Sequence, residues 1–355
     1  MNNNTWYAVG AAVSLAPGMV KQFKVAGREL AVYRTKADDT NESRLVAFSN
    51  RCPHRGTSMS LGKVTGKCLR CPMHGWLFQS DGQCVSVPSE QDDRAFGKRF
   101  HIPHYPAMES YGLIWIFVGS DLELLRRGVP AISELTQPGW RARYWPSIWQ
   151  ANQTRAIEIL LDFSHVAYVH PMFGQPSEPL IPEYKIERNV EEWLPSWRAA
   201  VPFRPPRNLL QRLLRSDVSV SGQLTHYFPN FTRLDVSLGS QGNAHRLIIF
   251  EAYTPLSQEE TKIHRIVLRN FFPMSAFDFI TRLIVKEVIE QDRRLVVTQK
   301  PTVAPFQDPT QEKHARADAL QLNYRKQMKR SFKDGTLLDL QGDSPLPYLR
   351  HQPSV

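Results

Sequence analysis

The chain carries Cys52-Pro53-His54-Arg55-Gly56 and, further on, Cys71-Pro72-Met73-His74-Gly75-Trp76. Each segment offers one thiolate and one imidazole, so any fold the chain adopts has to bring these two loops together around a metal. Cys-x-His followed by Cys-x-x-His is the set needed for a 2Fe-2S cluster with two cysteines on one iron and two histidines on the other. Exchanging two anionic thiolates for neutral imidazoles lowers the negative charge around such a cluster and lifts its potential to roughly −150 to +300 mV. A structural Cys2His2 zinc site would accept the same four ligands. Zinc fingers, however, bring in their cysteines as one pair and their histidines as another, whereas here each loop holds a mixed pair. Pro53, Pro72, Gly56 and Gly75 suit tight turns that aim backbone N–H groups at sulfide.

Of the four cysteines, Cys68 and Cys84 remain after the cluster takes Cys52 and Cys71. Cys68 and Cys71 form a Cys-x-x-Cys pair, but Cys71 cannot both ligate iron and form a disulfide. With no disulfide framework and no secretory apolar segment at the N-terminus, the expected compartment is reducing and cytoplasmic.

At 355 residues the chain suggests two domains. Its 42% apolar and 22% charged residues are ordinary for a globular protein, and no apolar run is long enough to span a bilayer. The expected division is residues 1–120 and 121–355. In the first part, short strand-like segments at 21–33, 44–49 and 113–117 are punctuated by Gly, Pro and Asp. Ser80-Asp81-Gly82-Gln83 predicts a hairpin turn, because Asp-Gly reaches positive φ cheaply. In the second part, 155–169 and 277–295 have helical spacing, and 224–238, 246–252 and 262–272 read as antiparallel strands. Phe277, Ile280, Leu283, Ile284 and Val288 form one apolar stripe that is expected to face inward.

Residues 158–170 hold Glu158, Asp162, His165 and His170. His165 and His170 lie about 140° apart on an ideal helix, so both reach one metal only if the helix loosens or ends before Pro171. Two histidines and a carboxylate make the facial triad of non-haem Fe(II) with open positions for oxygen. Asp292 is the candidate carboxylate, because it continues the apolar stripe and a buried carboxylate needs a partner or a metal.

Two motifs in this order resemble the Rieske non-haem iron oxygenase α subunits: Cys52, His54, Cys71 and His74 for the cluster, then Asp162, His165 and His170 in Asp-x-x-His-x4-His. The opening Trp6-Tyr7-Ala8-Val9-Gly10 and the region from Thr254 to Phe271 are more similar to vanillate O-demethylase-type monooxygenases than to ring dihydroxylases. Respiratory-type Rieske proteins carry a bridging cysteine in each loop; Thr57 and Met73 stand in those places here. The resemblance implies an α+β chain, with an antiparallel β Rieske domain followed by a helix-plus-antiparallel-sheet, helix-grip-like catalytic domain. It implies a Rieske 2Fe-2S cluster, mononuclear Fe(II) and O2 as co-substrate, with Asp292 as third iron ligand. In the implied homotrimer, Asp162 would link His165 to His74 of the partner subunit. Glu158 departs from the usual context, since Ile159 follows it where many relatives carry an amide.

The implied reaction is monooxygenation of a small, largely apolar molecule, by hydroxylation or by O- or N-demethylation. A tetrapyrrole or steroid substrate, or a pure electron-transfer role, are the competing readings. No cysteine follows Cys84, which disfavours tetrapyrrole-directed relatives with a C-terminal Cys-x-x-Cys. No Gly-x-Gly-x-x-Gly turn is present for a nicotinamide or flavin, so a separate ferredoxin or reductase must deliver electrons. The net charge of +10, with Arg55, Lys63, Lys67 and Arg70 around the loops, suits an acidic donor. Aromatic and basic residues do not interleave as a nucleic-acid platform requires, and membrane association is not expected. The basic amphipathic stretch 208–215 reads as a lid or packed loop, with subunit or membrane contact as the sharper alternative.

Overall fold

The computed structural model describes residues 4–36, 43–90, 100–171, 185–188, 196–201, 220–238 and 245–333. The stretch 208–215 lies outside them. Two compact units are present, the first ending at Gly128 and the second beginning at Val129.

The first unit is built of antiparallel strands: β1 (Thr5–Ala11), β2 (Val20–Val25), β3 (Arg28–Arg34), β4 (Leu45–Ser49), β5 (Lys63–Thr65), β6 (Cys68–Arg70), β7 (Leu77–Phe78), β8 (Cys84–Ser86), β9 (His104–Tyr105), β10 (Ala107–Ser110) and β11 (Leu113–Val118). They form sheets in the orders β1-β11-β10, β2-β3-β4-β9 and β5-β6-β7-β8. The strand β11 reads Leu-Ile-Trp-Ile-Phe-Val and is buried at every position, as a central strand covered on both faces should be. β2 alternates polar and apolar residues from Gln22 to Val25 and sits at a sheet edge. The turn at 80–83 forms as expected: Gly82 has φ +85° and Cys84 pairs with Phe78 across the hairpin. Helix α1 (Leu122–Arg127), capped by Asp121, also belongs to this unit. Trp6 Nε1 donates to its Leu125 carbonyl at 3.3 Å, which carries the unit past the expected boundary at residue 120.

The second unit centres on one antiparallel sheet. Its elements are β12 (Arg141–Tyr144), β13 (Ser147–Trp149), helices α2 (Gln153–Glu158) and α3 (Val166–Val169), then β14 (Ile186–Arg188), β15 (Ser196–Val201), β16 (Val220–Tyr227), β17 (Phe231–Leu238), β18 (His245–Pro255), β19 (Thr261–Arg269), and helices α4 (Ala276–Val296) and α5 (Ala319–Lys333). The strand order is β12-β19-β18-β17-β16-β15-β14, with β13 also on β19. Buried charges in the central strands are paired, as burial demands. Arg265 meets Glu251, and Arg269 joins Arg141 and Arg143 on Asp278. Those three guanidiniums, Arg141 foremost, hold the Asp278 carboxyl well below the usual carboxylate range.

Three expectations are corrected. The segment 224–238 is two strands, because Phe228-Pro229-Asn230 makes a turn between β16 and β17. The helix expected over 155–169 is broken: α2 ends at Glu158, a turn follows, and only Val166–Val169 is helical again. On α4 the apolar stripe faces outward, with Ile280 51%, Leu283 51% and Ile284 37% exposed. The buried positions are Val285, Asp292 and Val296, with Ile289 packed beside them on the core of α2 and α5. The inward face is therefore rotated away from the longest apolar run, and Asp292 lies on it for a different reason than the stripe suggested.

Candidate metal centres

The two loops of the first unit are built alike. Cys52 N donates to the Thr57 carbonyl at 2.9 Å and Gly56 N to the Cys52 carbonyl at 2.9 Å. In the second loop Cys71 N donates to the Trp76 carbonyl at 2.8 Å and Gly75 N to the Cys71 carbonyl at 3.1 Å. Gly56 and Gly75 both have φ +74°, a conformation that a side chain resists. The loops meet tip to tip. Thr57 Oγ1 donates to Met73 Sδ at 2.9 Å, at the two positions the sequence aligned with a bridging disulfide.

Between the loops, Cys52 and Cys71 are each 2% exposed, whereas His54 and His74 lie at the surface. The imidazoles are edge to face, with ring centroids 4.6 Å apart, and Trp76 stacks on His54 at 4.5 Å. Without iron, burial pushes the Cys52 thiol up to about 11, while the N–H groups of His54 and Arg55 pull the other way. A pair of buried thiols with backbone N–H groups aimed at one of them is a donor set made for a metal–sulfur centre, since metal binding replaces the protons. Cys68 and Cys84 are unbridged, as expected.

In the second unit, three side chains converge. His165 Nε2 and His170 Nε2 are 3.1 Å apart, and Asp292 Oδ1 lies 3.3 Å from the first and 3.1 Å from the second. Three bonds of about 2.1 Å at right angles put ligand atoms roughly 3.0 Å apart, so this triangle fits one face of a six-coordinate metal. Asp292 Oδ1 and His165 Nδ1 are buried with no hydrogen-bond partner, which is costly unless a metal or a further group is bound. Among the described residues, His165, His170 and Asp292 are the one group of three or more His, Cys, Asp or Glu side chains whose ligand atoms all lie within 4.8 Å of one another.

The local chain explains the convergence. His170 ends α3 with φ −113° and ψ 86°, outside the helical region and just before Pro171, so its ring does not stay 140° from that of His165. Burial works against a proton on His170, but Asp292 and Gln291 outweigh it and raise its pKa. Burial would raise Asp292 likewise, yet the two histidines hold it low.

Asp162 sits on the turn before α3. Its Oδ1 accepts from Ser164 N at 2.8 Å and Ser164 Oγ at 2.5 Å, leaving Oδ2 at 3.9 Å from His165 Nδ1, too long for a hydrogen bond. Glu158 is neither exposed nor at the triad. It is 3% exposed and clamped by Arg155 and Arg325, with Glu312 bridging the same two arginines. Sequence spacing gave no sign of Arg325 or of Gln291, whose Oε1 meets His170 Nδ1 at 2.8 Å. The one available hint was that Gln291 and Glu287 are four apart on a helix.

An antiparallel domain with a mixed Cys/His loop pair, followed by a sheet and helices carrying a two-histidine, one-carboxylate face, defines an oxygenase with two iron centres. Residues 5–106 match the Rieske [2Fe-2S] domain, and residues 149–334 match the vanillate O-demethylase oxygenase C-terminal domain. The chain belongs to this family of Rieske non-haem iron oxygenases. It is an oxidoreductase that uses a 2Fe-2S cluster, mononuclear iron and O2. Like its family, it takes electrons from a separate donor and acts on a small molecule. Methylxanthine N1-demethylase NdmA of Pseudomonas putida is 28% identical over 308 residues, 82% of this chain and 79% of that protein. The oxygenase component of chloroacetanilide N-alkylformylase from Rhizorhabdus wittichii is 32% identical over 56% of this chain and 57% of its own. Among solved structures, an NdmA QL mutant with caffeine superposes with TM-score 0.73 at 25% identity, covering 94% of this chain and 92% of that one. Dicamba monooxygenase bound to dicamba gives TM-score 0.76 at 18% identity, over 94% and 98%, a likeness of fold. No helix among the described residues is long and apolar enough to cross a membrane.

Proposed function

We propose that Cys52 and Cys71 hold one iron of the cluster and His54 and His74 the other, that His165, His170 and Asp292 hold the mononuclear Fe(II), and that the chain removes or hydroxylates a methyl or short alkyl group carried on nitrogen or oxygen of a small, largely apolar ring compound. The triangle of His165 Nε2, His170 Nε2 and Asp292 Oδ1, with edges of 3.1–3.3 Å, carries the site assignment. The substrate class rests on relatives whose names denote demethylation or N-dealkylation. Bound there, the iron would supply activation of O2 with two electrons, one oxygen atom entering a substrate C–H bond and the other leaving as water. A hydroxylated N- or O-methyl group is a hemiaminal or hemiacetal, which sheds formaldehyde.

The chain's own residues set the conditions. Asp292 would contribute the single negative charge around the iron, and His165 and His170 two uncharged nitrogens. Ser164 holds one oxygen of Asp162 so that the other points toward His165 Nδ1, and closing that 3.9 Å gap would orient the ring. In a homotrimer Asp162 would also reach His74 of the partner subunit. Exposed Arg55, Lys63, Lys67 and Arg70, close in sequence to the surface imidazoles, would receive an acidic ferredoxin or reductase. A cytoplasmic location goes with the four unbridged cysteines.

The test is oxygen uptake and formaldehyde release with a reconstituted ferredoxin chain, over a panel of N-methyl heteroaromatics, methoxybenzoates and methylsterols. Iron content is measured on the same material. About three irons per chain and formaldehyde in step with oxygen are expected, while about two irons would reduce the chain to an electron carrier.

A further inference from the structure

We propose that Gln291 is a positioning residue that fixes the tautomer of His170, and that Glu287 in turn fixes the Gln291 amide. This rests on the reading that His165, His170 and Asp292 hold iron. Gln291 Nε2 donates to Glu287 Oε1 at 3.0 Å, one turn earlier on α4. An ionised carboxylate has no proton to give, so the amide nitrogen must face Glu287 and the amide oxygen must face the other way. It faces His170: Oε1 lies 2.8 Å from Nδ1. An amide oxygen only accepts, hence Nδ1 carries the hydrogen and Nε2 keeps its lone pair. Nε2 is the atom at 3.1 Å from both His165 Nε2 and Asp292 Oδ1.

Consecutive residues of one helix thus grip opposite edges of a single imidazole. Neighbouring positions on a helix diverge by about 100°, so Asp292 reaches the inner corner of the ring while Gln291 reaches its outer one. His165 has no such partner: its Nδ1 is buried and unbonded, and Asp162 Oδ2 stays at 3.9 Å. One histidine of the pair is set before metal arrives and the other is not. Orienting partners of this kind change metal affinity by about 10–100-fold.

The experiment measures the apparent Fe(II) dissociation constant of the mononuclear site by chelator competition, on protein that keeps its cluster, whose absorbance reports an intact first unit. Histidine ring 15N shifts are read on the same protein with only the mononuclear iron removed. Gln291→Leu is expected to weaken Fe(II) binding by about 10–100-fold and to mix the His170 tautomers. The exchange Glu287→Gln with Gln291→Glu restores an acceptor facing Nδ1 and a donor behind it, and is expected to stay within about threefold of wild type with Nδ1 protonated. Wild-type affinity in Gln291→Leu, or an exchange variant as weak as Gln291→Leu, overturns the proposal. A wild-type chain that holds only the two cluster irons instead overturns the site assignment, and this proposal with it.

Discussion

The loops proposed to hold the cluster and the triad proposed to hold iron are built in opposite ways. Each loop closes on itself through the same two backbone hydrogen bonds and the same left-handed glycine, within residues 52–57 and 71–76. The triad draws two ligands from the ends of one helical turn and the third from a helix more than a hundred residues later. A site made of local turns is written in residue spacing; a site made by packing is written in the fold. That difference also sets how each should fail.

Removing a cluster cysteine should have the largest effect. Cys52→Ser or Cys71→Ser is expected to abolish the visible spectrum of the cluster and all turnover, because the thiolates sit inside the core of the first unit. Next, Asp292→Ala should leave that spectrum intact, lower iron from about three to about two per chain and reduce turnover by at least about 100-fold. His165→Ala is expected to behave in the same way, and turnover retained in either variant would break the comparison. Asp278→Asn touches neither centre and tests how α4 is tied to β12 and β19. Its carboxyl is held below the ordinary value of about 3.9, so its contribution is complete above that pH and lost as pH falls through the depressed folded value. The melting temperature of the variant should therefore lie about 5 °C below wild type at pH 7, with the gap closing below about pH 4.

Smaller effects sharpen the picture on the cluster side. Arg55→Glu with Arg70→Glu should slow electron delivery from an acidic ferredoxin by several-fold, and the deficit should shrink in about 0.5 M salt. Smallest is Thr57→Val, which removes the contact to Met73 yet should cost less than about 0.5 kcal/mol in chemical denaturation, since the loops are closed by their own backbones. A large loss there would mean that this contact does for the loops what a disulfide does elsewhere.

The sequence was most informative where side chains act over a few residues. The cluster motif, the Asp81-Gly82 hairpin and the antiparallel character of both units could be read directly. The break in the 155–169 helix could be read only as a requirement, because nothing in the local propensities of 159–165 forces it. The division of 224–238 into two strands was in fact signalled by Pro229-Asn230, which the β-branched residues on either side masked. On α4 periodicity pointed to the wrong face, since an outward run including Ile280, Leu283 and Ile284 is more continuous than the inward set that Asp292 shares with Val285 and Val296. Spacing encodes the local pairs Arg155–Glu158 and Gln291–Glu287, but the partnerships of Gln291 with His170, of Arg325 with Glu158 and of Glu312 with Arg155 come from tertiary packing.

The clamp of Glu158 between Arg155 and Arg325 has a bearing on the order in which the two centres can be loaded. Emerging from the ribosome, the chain has all four proposed cluster ligands in hand by His74. The turn that bears His165 and His170 follows directly on α2, and part of what holds α2 is Arg325, 167 residues beyond Glu158. The loops proposed for the cluster can thus close on a nascent chain, whereas the seat proposed for mononuclear iron is fully supported only once residue 325 has been added.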